Sequence, residues 1–349
     1  MDPINDYLKM LELLPQPAFA VKDGRILCFN RLAAPCLLDT ETPVAEYLVT
    51  GKEEYEALTD GCLWLRLRLN GGLWDAAVTR LDGSDIFRLE HTGIPEELKA
   101  MALMGSQLRY PISNLSILTE RHLADNPDIA AIRQELSRIN RVLNNAANTE
   151  RFLSGNDHKL QELNVCAILR ELLEEAGNLL SQAGFKLESQ LPDRPIFTLA
   201  DEHGLRQAIY NLLSNAAKFS ARGSTIRCEV RVSGKTLRIT VSDEGEGVVS
   251  GQQAGVFNRF TRQPGIEEGR QNIGLGLALV RAVAAIHCGT VLLDSPNGRG
   301  TRVTMTLALR KSDLPILRSP NSLKLDSSIS EGLTMLSDVL PRELYKDKL

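Results

Sequence analysis

Asn211-Leu-Leu-Ser-Asn215-Ala-Ala-Lys218-Phe219-Ser220 is the stretch from which the rest of the chain can be read. Four residues make slightly more than one helical turn, so a helix here sets Asn211 and Asn215 on one face with Lys218 beside them. Two amide oxygens and an ammonium suit a magnesium-bound polyphosphate, because Mg²⁺ takes hard oxygen ligands and a lysine offsets the remaining charge. Alone, the stretch reads equally well as a polar helix face turned to water.

Working outward, eleven of the twenty-six glycines fall between Asp243 and Gly300, where backbone would curl closely around something. Within that region Val241-Ser-Asp243-Glu-Gly245-Glu-Gly247 follows a strand-like run and leaves a carboxylate at its end, able to accept a hydrogen bond from an exocyclic amine such as that of adenine. Asn272-Ile-Gly274-Leu275-Gly276 then opens an apolar helix whose first amides suit a phosphate. Each glycine motif singly is ordinary turn and helix-start chemistry; the fixed order of all three is what points to a nucleotide.

The flanking segments divide by periodicity. Residues 1–92 read as a small α+β sheet domain, with strands in Ala18 to Asn30 around an Asp-Gly turn and in CLWLRLRL and LWDAAVTRL. Residues 97–155 read as two helices: Leu98, Met101, Gly105, Leu108, Ile112 and Leu115 form one seam, and Ile129, Ile132, Leu136, Ile139, Leu143 and Ala146 another. The turn-like Ala124 to Asp128 folds them into an antiparallel hairpin, whose two-sided seam a second copy would cover; a helical linker packed on its own domains is the alternative. Residues 160–310 return to mixed helix and strand, with a helix over Ala200 to Phe219 and strands over Thr225 to Val232 and Thr236 to Ser242, which suits an α/β sandwich. The tail, 311–349, holds a short amphipathic helix with Ile329, Leu333, Leu336 and Leu340 on one face and Ser328 with Glu331 as its capping box. The expected fold class is therefore α+β and multidomain.

Composition excludes several classes. Forty Lys plus Arg against forty-four Asp plus Glu argue against a partner bound through its phosphates, as nucleic acid would be. The longest apolar stretch, Leu275 to Leu293, is interrupted by Arg281 and His287, so no membrane span is expected. The first residues, MDPINDYLKM, are unlike a signal peptide, which implies a cytoplasmic chain. Six cysteines without a C-x-x-C pair or a His at ligand spacing read as reduced, packed thiols.

Taken in order, NLLSNAAKFS, VSDEGEGV, VFNRF, NIGLGLALVRAVAAIHCGTV and GRGTRVTMTL resemble the N, first-glycine, F and second-glycine boxes of the sensor histidine kinases over about residues 97–310. The resemblance implies a Bergerat-type ATP-binding sandwich, also found in DNA gyrase and MutL, behind a dimerisation hairpin. It implies that Asn215 binds Mg²⁺ with Asn211 in support, that Lys218 contacts phosphate, and that Asp243 takes the adenine amine. Gly245, Gly247, Gly274, Leu275 and Gly276 would shape the ATP pocket, under a lid over 251–272 that includes Arg259 and is anchored by Phe257 and Phe260. The first domain resembles a PAS-type module whose ligand is unknown, and the family implies a response regulator as partner. One departure is Asn272, where the family usually has Gly.

A second departure concerns the chemistry itself. Where the family carries His-Glu-Leu-Arg-x-Pro-Leu, this chain reads Ser106-Gln107-Leu108-Arg109-Tyr110-Pro111-Ile112, so both the phosphoacceptor and its base are replaced while the scaffold remains. His122 lies sixteen residues on, about 160° around the helix, and reads as a packed or tip-capping residue. His91 and His158 fall in expected loops, His203 before the Asn helix, and His287 at a structural position. The expected function is an ATP–Mg-binding signalling pseudokinase; the alternative is an active kinase that phosphorylates a noncognate site or a partner.

Overall fold

The computed structural model describes residues 3–36, 38–81, 83–91, 96–122, 128–154, 160–248, 275–296, 299–311 and 330–346. After α1 (Pro3–Glu12), strands β1 (Ala18–Lys22) and β2 (Arg25–Phe29) pair antiparallel about Asp23 and Gly24. Both turn residues have positive φ, 52° and 75°, which matches the right-handed twist of the strands they join. The short α2 (Lys52–Glu56) precedes β3 (Cys62–Leu69), β4 (Gly72–Leu81) and β5 (Ser84–His91), and the five strands lie in the order β2-β1-β5-β4-β3. Their core is built on Phe19 stacked against Phe87, with Tyr55 edge-on to Phe87 and Leu63, Leu65 and Leu67 beside them.

The second half contains β6 (Gln161–Asn164), α5 (Val165–Gln182), β7 (Lys186–Gln190), β8 (Phe197–Ala200), α6 (Glu202–Phe219), β9 (Thr225–Ser233), β10 (Thr236–Ser242), α7 (Leu275–Ile286), β11 (Val291–Asp294) and β12 (Arg302–Ala308), later followed by α8 (Glu331–Met335). Helices α5, α6 and α7 share one core with the inward side chains of β9, β10, β11 and β12, such as Ile226, Ile239, Leu293 and Met305. The α/β sandwich read from sequence is thus present, and β10 has the bounds expected.

Where the sequence reading separated two sheets, the structure joins them. Strand β11 pairs antiparallel with β3 through Val291 with Trp64, Leu292 with Leu63 and Leu293 with Cys62. Among the described residues this makes one ten-stranded sheet, β2-β1-β5-β4-β3-β11-β12-β10-β9-β7. The physical reason lies in CLWLRLRL, whose first four residues are all buried. Leu63 and Leu65 face the N-terminal core, whereas Cys62 and Trp64 join the core under α5 to α7. An unpaired β3 would leave an apolar edge open to water.

Between the halves stand α3 (Glu96–His122) and α4 (Ile129–Ser154). Leu98 near the start of α3 meets Ala146 and Leu153 near the end of α4, and Gly105 lies against Leu143, so the pair is antiparallel as expected. The seam is half of what the spacing suggests. Leu98, Gly105 and Ile112, seven residues apart, are buried, but Leu108 and Leu115 are 47% and 51% exposed and Ile139 44%. The connection lies outside the described residues.

Helix α4 is covered instead by the tail, along a polar stripe. Gln134 Nε2 donates to the carbonyls of Ser337 (3.0 Å) and Leu340 (2.8 Å), and Arg133 Nη1 to that of Lys346 (3.0 Å). Arg141, almost fully buried, pairs with Asp338 and donates to Ser214 Oγ at 2.8 Å. On its other side the tail inserts Leu333, Met335, Leu336, Leu340 and Tyr345 into the sandwich core. Two corrections follow. The N-cap of α8 is Ser330, whose Oγ accepts from the Leu333 N–H at 3.2 Å, while Ser328 and Ile329 lie outside the described residues. Leu336 and Leu340 follow the helix in turns rather than continuing it.

Because Leu336 is fully buried, Leu336→Ala is expected to cost about 2–5 kcal/mol of stability. Urea unfolding of the full chain measures this; a loss below about 1 kcal/mol would mean that the tail does not dock.

Candidate functional site

Helix α6 is fixed at its first turn. Asp201 caps it by accepting the Gly204 N–H at 2.8 Å, and Arg151 of α4 pairs with the same carboxylate at 3.3 Å. The Asp201 N–H donates to His287 Nε2 at 3.0 Å, while His287 Nδ1 lies 2.7 Å from the Val283 carbonyl. These partners require a neutral imidazole with its hydrogen on Nδ1, so this buried histidine ties the start of α6 to the end of α7. It is structural, as expected. His203 sits within the first turn of α6 rather than before it, and His91 ends β5 rather than lying in a loop.

Asn211 and Asn215 follow one turn apart, the first buried and the second half-buried. Asn211 Nδ2 donates to the Gln207 carbonyl at 2.9 Å and to Asn145 Oδ1 at 3.2 Å, and Asn145 Nδ2 returns a bond to Asn211 Oδ1 at 3.1 Å. The hairpin therefore reaches into the candidate site with a reciprocal amide pair. Lys218 is buried, its ammonium 6.0 Å from the centre of the Phe219 ring.

After β10, Asp243 Oδ1 accepts the N–H groups of Gly245 (2.9 Å) and Thr301 (3.0 Å). Burial raises the Asp243 carboxyl above its ordinary value, and the two backbone donors only partly oppose this. On acidification it takes up its proton at a higher pH than an exposed aspartate does. Gly245 presses on α6 so closely that a Cβ there would clash with the Phe219 carbonyl, while Gly247 turns the chain with φ 78°. At the start of α7, a Cβ on Gly276 would stand 2.9 Å from Asn211 Oδ1. Leu275 is buried in a small cluster with Leu98 of α3 and Ala146 of α4.

The three motif segments thus converge: the middle of α6 meets the start of α7, and its end meets the loop after β10. Asn215 offers a hard oxygen suited to Mg²⁺ one turn along α6 from Asn211, which the first turn of α7 meets at Gly276. These residues fit a nucleotide with its metal. Gly274, Asn272, Phe257, Arg259 and Phe260 lie outside the described residues, as does His158. Ser106 and Gln107 are exposed on α3, and the Ser106 hydroxyl donates to the Leu103 carbonyl at 2.7 Å, within its own helix. Among the cysteines, Cys36, Cys62, Cys166 and Cys228 are buried, but Cys288 is exposed and so not a packed thiol.

Sequence reasoning missed Asn145 and Arg141. Their signal was a second stripe on α4, Arg133, Ser137, Arg141, Asn145 and Thr149, one residue in four and all buried. It looks like a solvated face until the surface that covers it is known.

Residues 200–311 match the family described as histidine kinase-, DNA gyrase B-, and HSP90-like ATPases. The adaptive-response sensory kinase SasA of Crocosphaera subtropica is 28% identical over 245 residues, 64% of this chain and 64% of that protein. The sensor histidine kinase WalK of Bacillus subtilis is 27% identical over 231 residues, 62% of this chain and 37% of its own. The chain spans less than two thirds of the length of these curated relatives. Among solved structures, full-length ShkA in complex with AMPPNP aligns with 62% of this chain and 47% of its own at 22% identity and a TM-score of 0.49. Among the described residues no helix is long and apolar enough to cross a membrane.

The amide pair supplies a direct check on the hairpin contact. Asn145→Ala removes the donor to the buried Asn211 Oδ1 and one of the two acceptors of Asn211 Nδ2, and is expected to destabilise the chain by about 1–3 kcal/mol. In a double-mutant cycle with Asn211→Ala the two losses should fall short of additivity by at least about 0.5 kcal/mol; simple additivity would show that the two amides act independently.

Proposed function

The chain belongs to the sensor histidine kinase family, and from that premise we propose that it is an ATP–Mg-binding signalling pseudokinase. The observation that carries this is the pairing of an assembled α6–β10–α7 site with a hairpin that lacks its acceptor. Asn215 binds Mg²⁺ with Asn211 in support, Lys218 offsets phosphate charge, and Asp243 takes the adenine amine. Gly245, Gly247, Gly274, Leu275 and Gly276 shape the pocket, and Phe257, Arg259 and Phe260 belong to its lid. Opposite this machinery stand Ser106, a neutral hydroxyl engaged with its own helix, and Gln107, which has no carboxylate to take a proton.

Exposed apolar residues on α3 support a homodimer through the hairpin. Leu103, Met104, Leu108, Tyr110, Leu115 and Leu118 all present apolar surface to water, more than a lone helix pair leaves uncovered. The strand order β2-β1-β5-β4-β3 supports a PAS-type reading of residues 1–92, and the family supports a response regulator as partner in the cytoplasm. The output is then a nucleotide-dependent shape of the dimer rather than a phosphoryl group.

Three measurements test this reading. Calorimetry should show Mg²⁺-dependent ATP binding that Asp243→Ala abolishes; binding indifferent to Asp243 contradicts the pocket. Incubation with γ-labelled ATP should leave neither acid-labile nor acid-stable phosphate on the protein, whereas Ser106→His with Gln107→Glu should gain acid-labile label. Ser106→His alone should be slower by about 10² to 10⁴. Ready labelling of the wild-type chain at Ser106 or His122 would overturn the pseudokinase. Sedimentation should give a dimer that Leu108→Glu with Leu115→Glu converts to monomer; a monomeric wild-type chain at micromolar concentration contradicts the hairpin interface.

A further inference from the structure

Helix α7 is held at its first turn, at its middle and at its end. Its first turn, Leu275 and Gly276, meets α6 at Asn211. Its middle is held by the N-terminal sheet. Arg281, whose side chain is 9% exposed, donates from Nη2 to Glu90 Oε2 of β5 at 3.1 Å, and its guanidinium lies 5.6 Å from the centre of the Trp64 ring on β3. Ala278, Ala282 and Ala285 face the same way, and their small side chains let the helix approach the strand, leaving only about 40 Å³ of cavity beside Trp64. The strand that follows the helix, β11, is hydrogen-bonded directly to β3. Helix, following strand and N-terminal sheet are therefore packed as one body.

From Gly276 to Arg281 is about 7.5 Å along the helix axis. A cation–π contact and a largely desolvated ion pair are worth more than their exposed counterparts, because water screens neither well. We propose that Arg281 is a positioning residue for nucleotide, held by Glu90 and Trp64, so that the N-terminal domain acts on ATP affinity directly through α7. The inference rests on the nucleotide-binding reading and adds a route to it. Whatever shifts β3 or β5 moves the helix whose first amides meet phosphate, with no need for the hairpin to relay the change. The coupling is reciprocal: nucleotide that seats the first turn of α7 must also alter the surroundings of Trp64.

Only two tryptophans are present in the chain, Trp64 and Trp74, so Trp74→Phe leaves Trp64 as the sole reporter. In this full-length background, Mg-ATP is expected to change the emission of Trp64 with the same midpoint as binding measured by calorimetry. Glu90→Ala should raise the Kd for Mg-ATP by about fivefold or more. Glu90→Gln, which keeps a hydrogen-bond acceptor, should recover part of the loss, and Arg281→Lys, which keeps the charge but not the planar guanidinium, should resemble Glu90→Ala. A merely structural role would lower the thermal midpoint and leave Kd unchanged. Either ATP binding that leaves Trp64 emission unchanged in the Trp74→Phe background, or a Glu90→Ala Kd within about twofold of wild type, would overturn the proposal while leaving the nucleotide site intact. Absence of ATP binding in the wild-type chain would remove the nucleotide reading and this inference with it.

Discussion

Much of the arrangement depends on the burial of a polar stripe along α4. Arg133, Gln134, Arg141 and Asn145 are out of water yet hydrogen-bonded, to tail carbonyls on one side and to α6 on the other. Stripping such groups of partners costs about 1–3 kcal/mol each, and more for a charge. The contact is therefore fixed in register, since a shift of one residue along α4 would orphan several groups at once. Apolar packing alone tolerates more sliding. The same constraint explains why the seam is half exposed: α4 spends one face on the sandwich and tail, so Leu108 and Leu115 of α3 are left uncovered.

The site inherits its geometry from this clamp and from the fused sheet. Asp201 and His287 lock the two helices that carry the Asn and glycine motifs, and Asn145 reaches Asn211 from the hairpin. Among the described residues the site is bordered by α6, α7, the loop after β10 and α4, while the N-terminal sheet meets α7 further along, at Arg281. Two halves that share hydrogen-bonded strands transmit displacement through stiff elements rather than a flexible linker.

Local chemistry was the legible part. The turn at Asp23-Gly24, the bounds of β10, the helix through Asn211 and Asn215 and the buried His287 follow from φ preferences, alternation, helical spacing and the resemblance of the motifs. What escaped was pairing between distant segments. Nothing within CLWLRLRL says that its edge partner is Val291 to Leu293, because an apolar strand edge accepts any partner of suitable length. The N-cap was misplaced by two residues because Ser328 and Ser330 are both chemically competent, and Glu175, which accepts the Ser330 hydroxyl at 2.8 Å, decides between them from 155 residues away. For Asn145 the sequence carried the stripe without the surface that covers it.

The union of β3 with β11 also bears on how the chain is made. Synthesis runs from the N-terminus, so β3 emerges more than 200 residues before the strand that covers its edge. At the usual pace of a ribosome that interval is roughly ten to fifty seconds, far longer than a small sheet needs to collapse. During it the nascent chain presents Cys62 to Leu65 as an apolar ribbon with an open edge, a ready template for the same strand on a neighbouring polysome. Arg66 and Arg68, in the second half of that strand, set charges where such stacking would have to continue. The feature that joins the two halves of the finished molecule is thus an exposed point while the chain is still being translated.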